Sequence, residues 1–143
     1  MATRHTLLIP EILKKASKQK NRDARIKVLK ENESWALKDT LRVLFDEDII
    51  SLLPEGVPPY TADDAPEGHS KSTLYKQHKQ FRYFFKGGAK IPQFKREKMF
   101  IDLLESVHST EAELMVKAKD KENPYRHLNK TLINDAFPGL IKK

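Results

Sequence analysis

Between Ser70 and Gly88 the chain reads SKSTLYKQHKQFRYFFKGG, and cationic and aromatic side chains alternate along it. Lys71, Lys76, Lys79, Arg82 and Lys86 are suited to phosphate oxygens. Tyr75 and Tyr83 are suited to stacking on exposed bases or bonding to a nucleic-acid backbone. At about 100° per residue, these seven fall on one contiguous arc of an α-helix. Leu74, His78, Phe81 and Phe85, spaced four, three and four, form the adjoining apolar stripe. Lys95, Arg96 and Lys98 lie shortly downstream and are read as auxiliary contacts. Two other readings apply to the same arc. Long cationic side chains commonly flank a buried stripe simply as a solvated surface, and the acidic segment that precedes the helix is suited to covering it within the chain.

Other chemistries find less support. Asp46, Glu47, Asp48 and the pair Asp63-Asp64 are the carboxylate clusters, and a metal-dependent nuclease would need such groups to converge. The plainer roles are a turn cap for Asp46 and solvation of a loop for Asp63-Asp64. His5, His69, His78, His108 and His127 are scattered, without an i, i+4 pair or an HExxH. With no cysteine in the chain, a metal site would have to be assembled from distant single ligands. There is no P-loop, GxGxxG or GxSxG. Gly87-Gly88 is read as a helix stop. The expectation is a non-enzymatic protein without catalytic residues, metal or cofactor.

The elements that must position the arc are all helical. A first helix is expected from near Leu8 to Ser17, capped by Thr6, with Pro10 tolerated in its first turn. Asn21 caps a second helix and Ser34 a third, whose Leu37, Leu41, Leu44 and Phe45 share a face. Trp35, in the first turn of the third, is placed to fold back as a lid on the core. A further turn is expected after Asp46. From Pro54 to Gly68 the prolines and glycines make an irregular stretch. Leu52, Leu53, Val57 and Tyr60 mark it as a wrap packed on the rest. Pro92 opens a helix with Met99, Phe100, Leu103, Leu104 and Val107 on one broad face, expected to be the best buried. Thr110 and Glu113 form a capping box for the next. Asn129 caps the last, Pro138-Gly139 ends it, and Leu140 and Ile141 pack back. No stretch alternates with period two. The expected fold is all-α, a single compact domain of about seven short helices: N-terminal helices over 1–45, an acidic Pro-rich wrap over 46–69, and a helical part over 70–143.

Charge follows the same division. The net charge of +7 splits into +6 over residues 1–45, −7 over 46–69, +8 over 70–98 and zero beyond. Such a basic balance suits a polyanionic partner. The absence of cysteine fits a reducing cytoplasm. No apolar run approaches a membrane span of roughly 18 residues, and the apolar stretch in the first residues, MATRHTLLIPEILKK, is too short for a secretory signal.

Two stretches, LLPEGVPPY with DDAPEGHSKSTLYK (within 52–76) and LLESVHSTEAELMVKAKDKENPYRHLNKTLINDAFPGLI (103–141), carry a resemblance. They are similar to a family of small conserved proteins of tailed phages, especially the myoviruses of marine cyanobacteria, to which no activity is assigned. The resemblance implies a phage protein made in the host bacterial cytoplasm, in phage DNA metabolism or gene expression, and carries over no site residues. Three functions follow as expectations. The first is nucleic-acid binding through the 71–86 helix. The second is a protein-interaction adaptor or inhibitor acting on a host or phage protein, with Leu52, Leu53 and Tyr60 as anchors. The third is the nuclease. No small-molecule substrate and no membrane partner are expected.

Overall fold

The computed structural model describes residues 7–63, 70–88 and 90–141. Among them the chain forms seven α-helices, one 3-10 helix and no strand, the all-α architecture that the periodicities predict. In chain order the helices are α1 (Ile9–Ser17), α2 (Arg22–Glu31), α3 (Trp35–Phe45), α4 (Leu74–Gln77), a 3-10 helix (His78–Tyr83), α5 (Gln93–Ser106), α6 (Ser109–Lys119) and α7 (Lys130–Ala136).

Local chemistry sets most of these limits. The side chains of Asn21, Ser34 and Asn129 each accept from a backbone N–H three residues on, the ordinary N-cap bond. The proposed cap Thr6 lies outside the described residues. There, Glu11 instead reaches back to the N–H of Leu8, at 3.0 Å, so a carboxylate in the first turn satisfies an open donor. α6 starts earlier than its expected capping box. The Nδ1 of His108 accepts from the Thr110 N–H at 3.2 Å, and Glu113 is exposed. The turn after α3 is closed by Asp46, whose Oδ1 accepts from the N–H of Asp48 at 2.9 Å.

α6 lies at the centre, packing against α1, α3 and α5, while α2 bridges α1 and α7. One continuous cluster of buried side chains runs from Ile9 to Ile141. α6 is the best-buried helix: Ala112, Leu114, Met115, Val116 and Ala118 are all in the core, together with the carboxyl of Glu111 and the stem of Lys119. On α5 the expected face is present, with Met99 at its edge. Trp35 corrects the expectation of a lid. It is 72% exposed, and the ammonium of Lys38 sits 4.9 Å from its ring centroid, an exposed cation–π contact.

The wrap is ordered by partners outside itself. Leu53 is buried and Tyr60 packs against the core. The N–H of Gly56 donates to Asp120 at 3.0 Å and that of Thr61 to Glu105 at 2.7 Å. Over Pro54 and Gly56 the ammonium of Lys119 donates to both backbone carbonyls, at 2.9 and 2.7 Å. Lys121 similarly donates to the carbonyls of Val43 and Asp46. Prolines in the segment remove local N–H donors, and Lys119 at the end of α6 supplies donors to two of its carbonyls, while Lys121 just beyond α6 meets the open carbonyls at the end of α3.

Candidate nucleic-acid interface

The basic stretch does not form one long α-helix. Only Leu74–Gln77 is α, and His78–Tyr83 tightens to 3-10 geometry. The helical segment then ends in a pairing that the local sequence does not contain. The carbonyl of Phe84 accepts from the Leu52 N–H at 2.9 Å, and the N–H of Lys86 donates to the carbonyl of Ile50 at 2.8 Å. This short antiparallel bridge between Ser51 and Phe85 claims groups that would have continued the helix.

The tightening changes which residues share a face. At three residues per turn, positions i and i+3 align. His78, Phe81 and Phe84 turn inward, and Phe84, absent from the expected stripe, is fully buried edge-on to Phe100 with centroids 5.2 Å apart. Lys76, Lys79 and Arg82 line up along the outside, all exposed, with Gln77, Gln80 and Tyr83 between the two rows. The result is a narrow basic ridge in place of a broad arc. Phe85 leaves the helix yet remains buried. His78 is neither a free group nor an apolar one: its Nδ1–H donates to Asp39 of α3 at 2.6 Å.

The expected contact residues separate into two groups. Lys71, Lys76, Lys79, Arg82, Lys86 and Lys95 are exposed, and no carboxylate among the described residues pairs with any of them. The others have structural partners. Arg96 is buried; its Nε donates to the carbonyl of Tyr83 at 2.8 Å, and it also bonds to Gln93, tying α5 to the end of the 3-10 helix. Lys98 pairs with Asp102 one turn on, at 3.1 Å. Tyr75 packs against the core, and its hydroxyl donates to the carbonyl of Leu7. Burial, with Glu111 and Glu11 adding negative charge, pushes this phenol up to about 12. Tyr83 packs its ring at the core edge under its neighbour, the Arg82 guanidinium lying 5.1 Å from the centroid.

The interaction anchors fare similarly. Leu53 is core, Tyr60 is half-buried, and Leu52 is tied through its N–H to Phe84 and through its carbonyl to the Gln93 side chain. Among the described residues, the large apolar side chains that stand in solvent are Val57, Phe94, Ile50 and Trp35.

Beside the ridge, α3 adds Arg42, exposed and unpaired, which nothing in its own stretch distinguishes. It joins Lys79, Arg82 and Lys86 around a cleft of about 350 Å³ between α3, the 3-10 helix and Gly87-Gly88. Gly88 is required for this closure: a Cβ there would lie 1.9 Å from the carbonyl oxygen of Arg82. The described part of the acidic wrap reaches this cleft only through Asp48 and Ile49. Past Ser51 it runs instead over α5 and α6, against Phe100, Ile101, Val116 and Lys119.

The described carboxylates do not converge. Among the described residues no group of three or more His, Asp or Glu is placed to hold a metal ion. Asp46 is buried as a turn cap, Asp63 forms an isolated parallel bridge with His108, and Asp64 lies outside the described residues. No helix among the described residues is long and apolar enough to cross a membrane.

These features belong to a small α-helical protein with a Pro-rich wrap and a basic ridge. The model of a family of unknown function, DUF6433, matches residues 12–124, and the chain belongs to that family. No curated protein and no solved structure matches it.

Proposed function

We propose that this protein binds nucleic acid without catalysing a reaction, chiefly through phosphates, with the ridge of Lys76, Lys79 and Arg82 at the centre and Lys71, Lys86 and Lys95 around it. One observation carries the reading. These cations stand in solvent with no carboxylate partner among the described residues, while Arg96, Lys98, Lys119 and Lys121 are engaged within the fold. The resemblance to small proteins of tailed phages supports a setting in phage DNA metabolism or gene expression, in a host bacterial cytoplasm.

Counterion release makes such binding fall steeply with salt. Affinity for a generic DNA and a generic RNA, measured at low and at moderate salt, is expected to drop by orders of magnitude between the two. Lys79→Glu combined with Arg82→Glu is expected to abolish binding while the helical signal stays intact, because neither side chain is buried. No binding at low salt would sink the proposal.

A second reading, a protein-interaction adaptor or inhibitor, is favoured by the exposure of Val57 at 76% and Phe94 at 77%. Capture of one defined protein partner that persists after nuclease treatment, and is lost with Val57→Asp or Phe94→Asp, would favour it over the first.

A further inference from the structure

We infer that the cleft between α3, the 3-10 helix and Gly87-Gly88 seats one unstacked nucleotide, so that the protein takes single-stranded in preference to duplex nucleic acid. This rests on the ridge being a nucleic-acid interface and adds which form it accepts. The cleft has two chemistries. Its floor is apolar, made by Val43, Ile49, Phe81 and Phe85, and its rim carries Arg42, Lys79, Arg82 and Lys86. A surface that served only the outer phosphates of a duplex would need the rim and not the floor. A splayed-out base presents a flat apolar face next to its own phosphate, and the cleft offers partners for both.

Size and charge agree with that occupant. About 350 Å³ is at the lower end of small-ligand sites, which run from roughly 300 to 1,000 Å³. Asp39 and Asp48 also line the cleft, so four cations face two carboxylates. One oxygen of Asp39 is engaged by the ring N–H of His78, which leaves the exposed Asp48 as the less committed of the two carboxylates. Its place at the rim disfavours a second phosphate there and suits a single nucleotide. Gly88 lies directly against the Arg82 carbonyl, so the loop carrying Lys86 closes one end of the cleft.

The test uses the full chain, with a short dT oligomer and a duplex of the same length as probes. Arg42→Ala is the cleft variant, since its exposed side chain makes no bond within the fold. Lys71→Ala is the variant outside the cleft. The oligomer is expected to bind more tightly than the duplex. Arg42→Ala is expected to weaken the oligomer about tenfold, the loss of one charge-assisted contact, with much less effect on the duplex, while Lys71→Ala weakens both alike. If Arg42→Ala affects both probes equally, or neither, while binding itself persists, the cleft is not a nucleotide seat and the ridge reading stands. If neither probe binds at low salt, the ridge reading falls and takes the cleft with it.

Discussion

Lys119 and Lys79 carry the same ammonium group into opposite surroundings. The side chain of Lys119 is almost wholly buried and meets two backbone carbonyls of the wrap and the carboxylate of Asp120. Lys79 stands in solvent on the ridge with no described partner. The difference follows from what each segment's backbone needs. A helix satisfies its own N–H and C=O groups, so its outer side chains are left for other work. A proline-rich wrap has no internal ladder, and its polar groups must be met by side chains from elsewhere. Net charge alone would have paired the acidic wrap with the basic ridge, since −7 is followed by +8. In its described part the wrap is instead fixed mainly through its own backbone carbonyls and amides and a few apolar side chains, with an ion pair from Glu47 to Lys130 of α7 at 3.8 Å, and the basic ridge is left open.

The strongest way to break this comparison is to remove the clamp. Lys119→Met keeps the length and apolar stem but leaves the carbonyls of Pro54 and Gly56 without that donor and Asp120 without its buried partner. The expected loss is about 3 kcal/mol, read as a lower urea midpoint at nearly constant slope. Because the bridge between Ser51 and Phe85 depends on the wrap being seated, the same variant should also weaken nucleic-acid binding. A Lys119→Met protein as stable as the parent would mean that the wrap is held by its apolar contacts alone.

How far these regions could be read in advance depended on the range of the interactions. The caps at Asn21, Ser34 and Asn129 were legible because a cap bond spans three residues. The all-α class and the buried faces of α3, α5 and α6 were legible because a helix repeats its pattern every turn. The early end of the basic helical segment was not, because the N–H of Lys86 and the carbonyl of Phe84 are diverted by Ile50 and Leu52, more than thirty positions earlier in the chain. For the same reason Phe84 was missing from the expected stripe, Arg96 looked like a free cation, and Arg42 did not stand out. In each case the deciding partner comes from another element. Within the candidate site, the row of cations was visible in the sequence. Which of them are free, and what lies beside them, required the packing.

Below the ridge lies the second place where the comparison sharpens. Glu111 is wholly buried in α6; one carboxylate oxygen accepts from the N–H of Leu74, at the start of α4, at 3.1 Å, and the other has no partner. Burial raises its pKa from the ordinary 4.5 to about 7, against the lowering effect of the Leu74 and His108 amides and with a further push from Glu11. The folded state therefore holds more protons than the unfolded chain between these two values. The stabilisation is complete below about pH 4.5 and is lost as pH rises through about 7. Glu111→Gln retains an acceptor for Leu74 and removes the titration. It is expected to be more stable than the parent at pH 8 by on the order of 2 kcal/mol and to lack the fall in stability between pH 5 and 8. A parent protein whose stability rises over that range would mean that Glu111 is ionised and satisfied in the fold.

The smallest expected effect marks where the ridge ends. Tyr75 sits one residue before Lys76, in the sequence an equal member of the basic-aromatic face. In the fold its hydroxyl is committed to the Leu7 carbonyl, joining α4 to the residues that enter α1. Tyr75→Phe keeps the ring and removes the donor, so it should cost about 1 kcal/mol of stability and leave affinity for nucleic acid unchanged at every salt concentration. The opposite pattern, with stability intact and affinity reduced, would place the phenol at the ligand. The boundary between groups spent on the fold and groups left for a partner would then run through α4, before the 3-10 turn begins.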